Sequence, residues 1–211
     1  MSRLPPLTGL LPTAGGKLLI QMAERKFDTL AELIYWSYAN LQMADAACSM
    51  HKEKYDRVCY SIRAKAYKSY LIGSWHISDL YRQQIEKLQK SNHSCAYCGR
   101  VFATPKEATV DHIFPRIKGG TNEMENIVFA CKTCNSSKGD RDMFGWFLEH
   151  FGEFPSIYLT ANYLKKIYLY AQTNSLLDLP LETLNELDLP FDWHCIPTKY
   201  PEPTYFVIDY K

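Results

Sequence analysis

The sequence predicts an α+β chain. Apolar residues recur at helical spacing through residues 17–90, give way to short β-branched runs between two Cys-x2-Cys pairs, and return to helical spacing beyond them. The expected organisation is a loose lead-in over 1–16, a helical region over 17–90, a cysteine-stapled module over 91–150, and a C-terminal helix with an acidic extension over 151–211.

The lead-in carries Pro5-Pro6, Pro12 and Gly15-Gly16, all poor helix formers. Phe27, Leu30, Ile34, Tyr38 and Leu41 then recur at steps of three and four, which predicts one helix. A second helical stretch is expected from about Lys52 to Lys90. Its spine is Val58, Ile62, Ala66 and Tyr70, then Ile77, Leu80, Tyr81, Ile85 and Leu88, with a bend at Gly73-Ser74. Together they read as a helical hairpin. From Ser91 the period changes. "SCAYCGRVF" reads as a tight knuckle, with Gly99 easing the bend after Cys98. "ATVDHIF" and "NIVFA" read as short strands joined by the glycine-containing "PRIKGGTNEMEN", and "NSSKGDRDMFGWFLEHF" as one helix capped near Asn135 or Ser136. "YLTANYLKKIYLYAQ" predicts a further helix, and "TYFVIDY" a terminal strand.

Composition narrows the function classes. At 46% hydrophobic and 22% charged the chain is globular, not disordered. No apolar run approaches the roughly 20 residues of a membrane span, and the proline-rich start is a poor signal peptide. Seven cysteines, four of them in knuckles, fit a reducing compartment, so a cytoplasmic location and no membrane partner are expected. The net charge of +1 hides an asymmetry. Residues 51–142 carry 16 Lys+Arg against 10 Asp+Glu, whereas residues 143–211 carry 4 against 9. The positive part contains the cysteine module, which is where a phosphate backbone would feel it.

Cys95-x2-Cys98 and Cys131-x2-Cys134 have the spacing of a closed structural Zn2+ site of four thiolates. Between and just after them stand Asp111, His112, Asn126 and Asn135. Hydrolysis of a phosphodiester needs a base to deprotonate water and a cation for the developing charge. His112 is the natural base, because imidazole titrates near neutral pH. Asp111 and the Asn135 amide oxygen are hard ligands suited to Mg2+ or Mn2+. As strand neighbours, Asp111 and His112 point to opposite faces, so one site can use both only where the strand ends or bends. A helix starting at Asn135 would aim its positive end at the same place. Arg116 and Lys138 are candidate phosphate contacts.

"VDHIFPRIKGG" followed by "ENIVFACKTCNSSKGD" resembles the HNH endonuclease family in its zinc-stapled form. The resemblance implies a ββα-metal fold over about residues 91–150. It places the general base on His112, a metal ligand on Asp111, a loop-steadying role on Asn126, and a second metal ligand on Asn135, a position where many members have asparagine in place of histidine. It implies 5′-phosphate and 3′-hydroxyl products. The expected function is therefore a metal-dependent endonuclease acting on DNA, with RNA as the alternative substrate. One active site cuts one strand, so a double-strand break calls for a homodimer or another subunit. The acidic C-terminal third suggests a protein partner, such as an ATPase subunit, and a place as the nuclease effector of an antiviral defence complex. The alternatives are a stand-alone restriction or homing enzyme, and a zinc-dependent nucleic-acid-binding module without catalysis. Between Tyr55 and Tyr81, tyrosines interleave with Arg57, Arg63, Lys65 and Lys68; core packing of the tyrosines is the favoured reading and a nucleic-acid track the alternative.

Overall fold

The computed structural model describes residues 25–77, Tyr81, Glu86 and residues 93–206. The lead-in, most of the second half of the expected long helix, and the end of the expected terminal strand lie outside the described residues. Helices α1 (Leu30–Ser49) and α2 (Arg57–Leu71) come first. A strand pair follows, β1 (Ala108–His112) and β2 (Ile127–Cys131), then α3 (Lys132–Lys138), α4 (Met143–Phe151) and α5 (Ile157–Thr173). Single 3-10 turns punctuate the remainder up to Tyr205. The architecture is mixed, with helices around one small antiparallel sheet. Among the described residues no helix is long and apolar enough to cross a membrane.

Local chemistry sets the helix ends. Thr29 accepts from the Glu32 amide, and the Glu32 carboxylate accepts in return from the Asp28 amide, so two orphan donors are satisfied at once. Asp56 caps α2 by accepting from the Val58 and Cys59 amides, which moves the start of that helix five residues past Lys52. Gly73, in the left-handed region at φ 71°, follows the end of α2 as the expected bend. The inward face of α2 is Cys59, Ala66, Tyr67 and Tyr70; Val58, expected on the spine, sits in the exposed first turn instead.

The expected single helix over 135–151 is two. Gly139 terminates α3 with a backbone few other residues adopt, and Asp142 caps α4 through the Gly145 amide. The cap of α3 is Cys131, whose sulfur accepts from the Cys134 amide, so Asn135 lies inside the helix and not at its start. The helix-start argument for Asn135 falls with that. Thr204 and Tyr205, expected in a terminal strand, form a 3-10 turn.

One continuous core ties the pieces together. Leu33, Ile34 and Tyr38 of α1 share it with Ile113, Phe114 and Val128 of the strand region, Trp146 and Phe147 of α4, and Tyr163 and Leu164 of α5. Each such large side chain contributes on the order of 1.5–3 kcal/mol by leaving water. The strand pair and α3 therefore rest on a rigid floor, which is what a geometrically demanding site needs.

Candidate active site

β1 and β2 pair antiparallel with Asp111 opposite Val128 and His112 opposite Ile127. Alternation turns Asp111 inward, 5% exposed, and leaves His112 half-buried. The strand ends at His112, the condition under which two neighbouring residues can serve one site. Asn135 reaches across from α3. Its amide donates to the Thr109 hydroxyl at 3.0 Å and to the Val110 carbonyl at 3.0 Å. Both amide hydrogens are thus used on β1, and the amide oxygen is left as the acceptor.

Asp111 is held by three donors. The Tyr97 hydroxyl donates to Oδ2 at 2.5 Å, the His112 amide to Oδ1 at 2.8 Å, and the Lys138 ammonium lies 3.3 Å from Oδ1. Lys138 also donates to the His112 carbonyl at 2.7 Å and the Gly139 carbonyl at 3.4 Å. Its side chain is fully buried, so the expected phosphate contact is corrected: Lys138 neutralises Asp111 and ties α3 to the end of β1. Burial pulls its ammonium below the usual lysine range, and the Asp111 carboxylate pulls it back. Tyr97 packs edge-on to Trp146, with ring centres 4.9 Å apart. Burial, then the neighbouring carboxylate, keeps its phenol protonated and hence a donor.

Asn126 is 2% exposed and binds both ends of the loop after β1. Its Oδ1 accepts from the Phe114 amide at 2.8 Å, and its Nδ2 donates to the carbonyls of Phe114 and Thr121, each at 2.9 Å. Gly120 makes that closure possible: a Cβ there would fall 1.9 Å from the Phe114 carbonyl oxygen and 2.9 Å from Asn126 Nδ2. The closed loop brings Asn122 to His112, with Oδ1 2.9 Å from Nε2. Arg116, in the 3-10 turn Arg116–Lys118, is exposed.

The four knuckle cysteines converge. Their sulfurs all lie within 4.8 Å of one another, and Cys98 Sγ is 4.0 Å from Cys131 Sγ. A tetrahedral thiolate site with bonds of about 2.3 Å places sulfurs about 3.8 Å apart, so the cluster fits a metal without rearrangement. The first knuckle is closed by the Gly99 amide donating to the Cys95 carbonyl, with Gly99 at φ 70°, and is tied to β2 through the Ala96 amide on Phe129. Burial raises the Cys98 and Cys134 thiols; at Cys131 that push is outweighed by the Cys134 amide and the other sulfurs, bringing it down to about 7. His93 is exposed and stands apart from the sulfur cluster.

Sequence reasoning missed Tyr97, Thr109 and Asn122. Tyr97 stands between the two cysteines of a knuckle and reads as an ordinary aromatic. Thr109 reads only as a β-former. Asn122 follows the glycine pair, where an amide usually signals a turn.

Residues 95–141 match the family model described as HNH endonuclease. A stretch of 70 residues, 33% of the chain, is 43% identical to the CRISPR-associated endonuclease Cas9 of Corynebacterium diphtheriae. The chain spans only 6% of that relative's length. No solved structure matches. The strand pair, the helix and the motif that joins them agree with those similarities: residues 95–141 form an HNH endonuclease domain, and the four clustered cysteines fit its zinc-stapled form.

Proposed function

We propose that this chain is a metal-dependent endonuclease that hydrolyses DNA phosphodiester bonds. The observation that carries the reading is that Asn135 of α3 is tied by two hydrogen bonds to Thr109 and Val110 of β1, the strand that ends in Asp111-His112. A carboxylate, an amide oxygen and an imidazole are thereby carried by one strand and the helix bonded to it, which supports a shared site. Carboxylate and amide oxygens are the donor chemistry of Mg2+ or Mn2+, and Asp111 and Asn135 would hold that ion. Such a cation supplies charge stabilisation at the phosphate and the leaving oxygen.

The remaining work belongs to the chain's own side chains. Nε2 of His112 is bonded to the oxygen of Asn122, which assigns its proton to Nε2 and leaves Nδ1 to take a proton from water. Asn126 holds the loop that carries Asn122, and so steadies the base at one remove. Tyr97 and Lys138 keep the Asp111 carboxylate fixed in direction. The structural cation is read as Zn2+, the ion for which four thiolates at this spacing are the usual ligands.

The HNH domain reads no sequence in this account, so choice of target falls to other parts of the chain or to a partner. The similarity to a CRISPR-associated endonuclease and the acidic C-terminal third support a place in antiviral defence beside a protein subunit. Isolation from its native host as a fully active, sequence-specific single chain would sink that part of the reading.

The test of the nuclease is conversion of supercoiled plasmid by wild-type and His112→Ala protein with Mg2+, Mn2+ or EDTA. Nicking by the wild type alone, and only with metal, is expected. Equal cutting by His112→Ala would overturn the role of the base.

A further inference from the structure

Helix α2 holds four cations, Arg57, Arg63, Lys65 and Lys68, and no carboxylate in its 15 residues. Its interleaved tyrosines divide. Tyr67 and Tyr70 are buried, while Tyr60 stays 46% exposed. Beside Tyr60, two guanidiniums share one indole. Arg25 Cζ lies 4.4 Å from the Trp36 ring centre and 4.6 Å from that of Tyr67; Arg63 Cζ lies 4.6 Å from Trp36 and 5.1 Å from Tyr60.

This arrangement is held in place. Arg63 Nη1 donates at 3.2 Å to Oδ1 of Asn40, which is 2% exposed and donates its own amide to the Trp36 carbonyl. Among the described residues neither guanidinium forms an ion pair with a carboxylate. Burial, opposed by Tyr60 and reinforced by the Arg25 charge, pulls the Arg63 guanidinium below its usual range. Two cations are thus drawn together on the face of one indole, Arg63 is fixed by a buried amide, and among the described residues neither meets a carboxylate.

An anion would relieve that repulsion, and the ridge along α2 says what kind. Arg57, Lys65 and Lys68 are exposed on the helix, which at 1.5 Å per residue is about 22 Å long. A point anion would occupy one end of it; a linear polyanion would follow it. Guanidiniums bind phosphate through paired N–H groups, and an exposed tyrosine offers a face for a base.

We propose that the outer face of α2, with Arg25 and Arg63 on Trp36 at its edge, is a nucleic-acid-binding site that tracks a phosphodiester backbone outside the Asp111-His112 centre. The proposal rests on the nuclease reading for the identity of the polyanion.

Its test is binding without cleavage: anisotropy of a labelled DNA duplex with the full chain in EDTA, across a range of KCl. Each lost phosphate contact lowers the slope of log affinity against log salt by about 0.9. Arg25→Gln/Arg63→Gln is expected to lower the slope by about 2, and Lys65→Gln/Lys68→Gln, confined to exposed side chains, to do the same. Arg25→Lys/Arg63→Lys, which keeps the charge, should restore it. An unchanged slope in both glutamine pairs overturns the proposal. So does DNA binding that poly-glutamate displaces as readily as competitor DNA, since that would mark an acidic protein as the partner. Wild-type protein that binds with the full slope yet never cuts plasmid would defeat the nuclease reading and leave this site standing.

Discussion

The ammonium of Lys138 lies 3.3 Å from Oδ1 of Asp111, with the lysine side chain wholly out of water and the aspartate 6% exposed. A buried pair of this kind is costly to break, because the survivor keeps its charge with no solvent to stabilise it. Lys138→Met is expected to cost about 3–5 kcal/mol of stability, measured by urea unfolding. Asp111→Asn/Lys138→Met, which removes both charges, should recover most of that loss. Additive losses in the two single variants would show that the pair is not coupled.

The sulfur cluster makes a separate demand. Four thiols within 4.8 Å of one another, three of them buried, form a donor set that fits one shared metal. Cys98→Ser, at the exposed member, should abolish metal retention and lower the melting temperature of the protein, since a closed thiolate site contributes folding energy outright. Metal analysis alongside circular dichroism checks it. A variant that keeps its metal and its melting curve would refute the structural role.

Much of the domain was legible because its signals are local. Cys-x2-Cys spacing, β-branched runs and a glycine after Cys98 act within a few residues, and the structure puts a strand pair and a sulfur cluster where those signals stand. The helix break at Gly139 was missed because "NSSKGDRDM" is polar enough to continue a helix; only the Asp142 cap, which also binds Tyr163 and the Asp192 amide from distant segments, decides it. Lys138 was misread for a similar reason. A lysine one turn beyond a candidate metal ligand looks like a phosphate contact until tertiary packing buries it against Asp111. Asn122 gains its role only when the loop closes on Asn126, and Tyr97 only when its knuckle packs against Asp111 and Trp146; nothing in their own neighbourhood announces that.

Asp142 offers a pH dependence. Burial raises its carboxyl above the usual 3.8, although the Gly145 amide, the Tyr163 hydroxyl and the Asp192 amide all favour the charged form. The folded state therefore keeps a proton that the unfolded chain has already released. Folded protein binds more protons in the window above about pH 4, so this group's contribution is full below that and is lost as pH rises through the folded value. Asp142→Asn removes the titration while keeping a capping oxygen. The stability difference, wild type minus Asp142→Asn, should fall as pH rises from about 4, measured by denaturant midpoints over that range. A flat difference would mean that the hydrogen bonds fully offset burial.

Asn122 supplies the sharpest test of the proposed base. Its Oδ1 lies 2.9 Å from Nε2 of His112, and an acceptor there fixes the imidazole proton on Nε2. Without it the two tautomers become comparable, and the ring loses its one described side-chain anchor. General-base catalysis contributes about 10²–10⁴-fold, so misorienting the base should remove a sizeable part of that. Asn122→Ala is expected to lower kcat by roughly tenfold or more while leaving DNA affinity in EDTA unchanged, because the side chain acts through His112 and not on the substrate. Asn122→Asp keeps an acceptor at the same distance and should restore much of the rate. The imidazole 15N shifts of protein that keeps its thiolate-bound metal, with no Mg2+ or Mn2+ added, give a readout independent of activity: the wild type should show the Nε2–H form, and Asn122→Ala a mixture. Unchanged shifts with an unchanged kcat would reduce Asn122 to a turn residue and leave the orientation of His112 to the backbone alone.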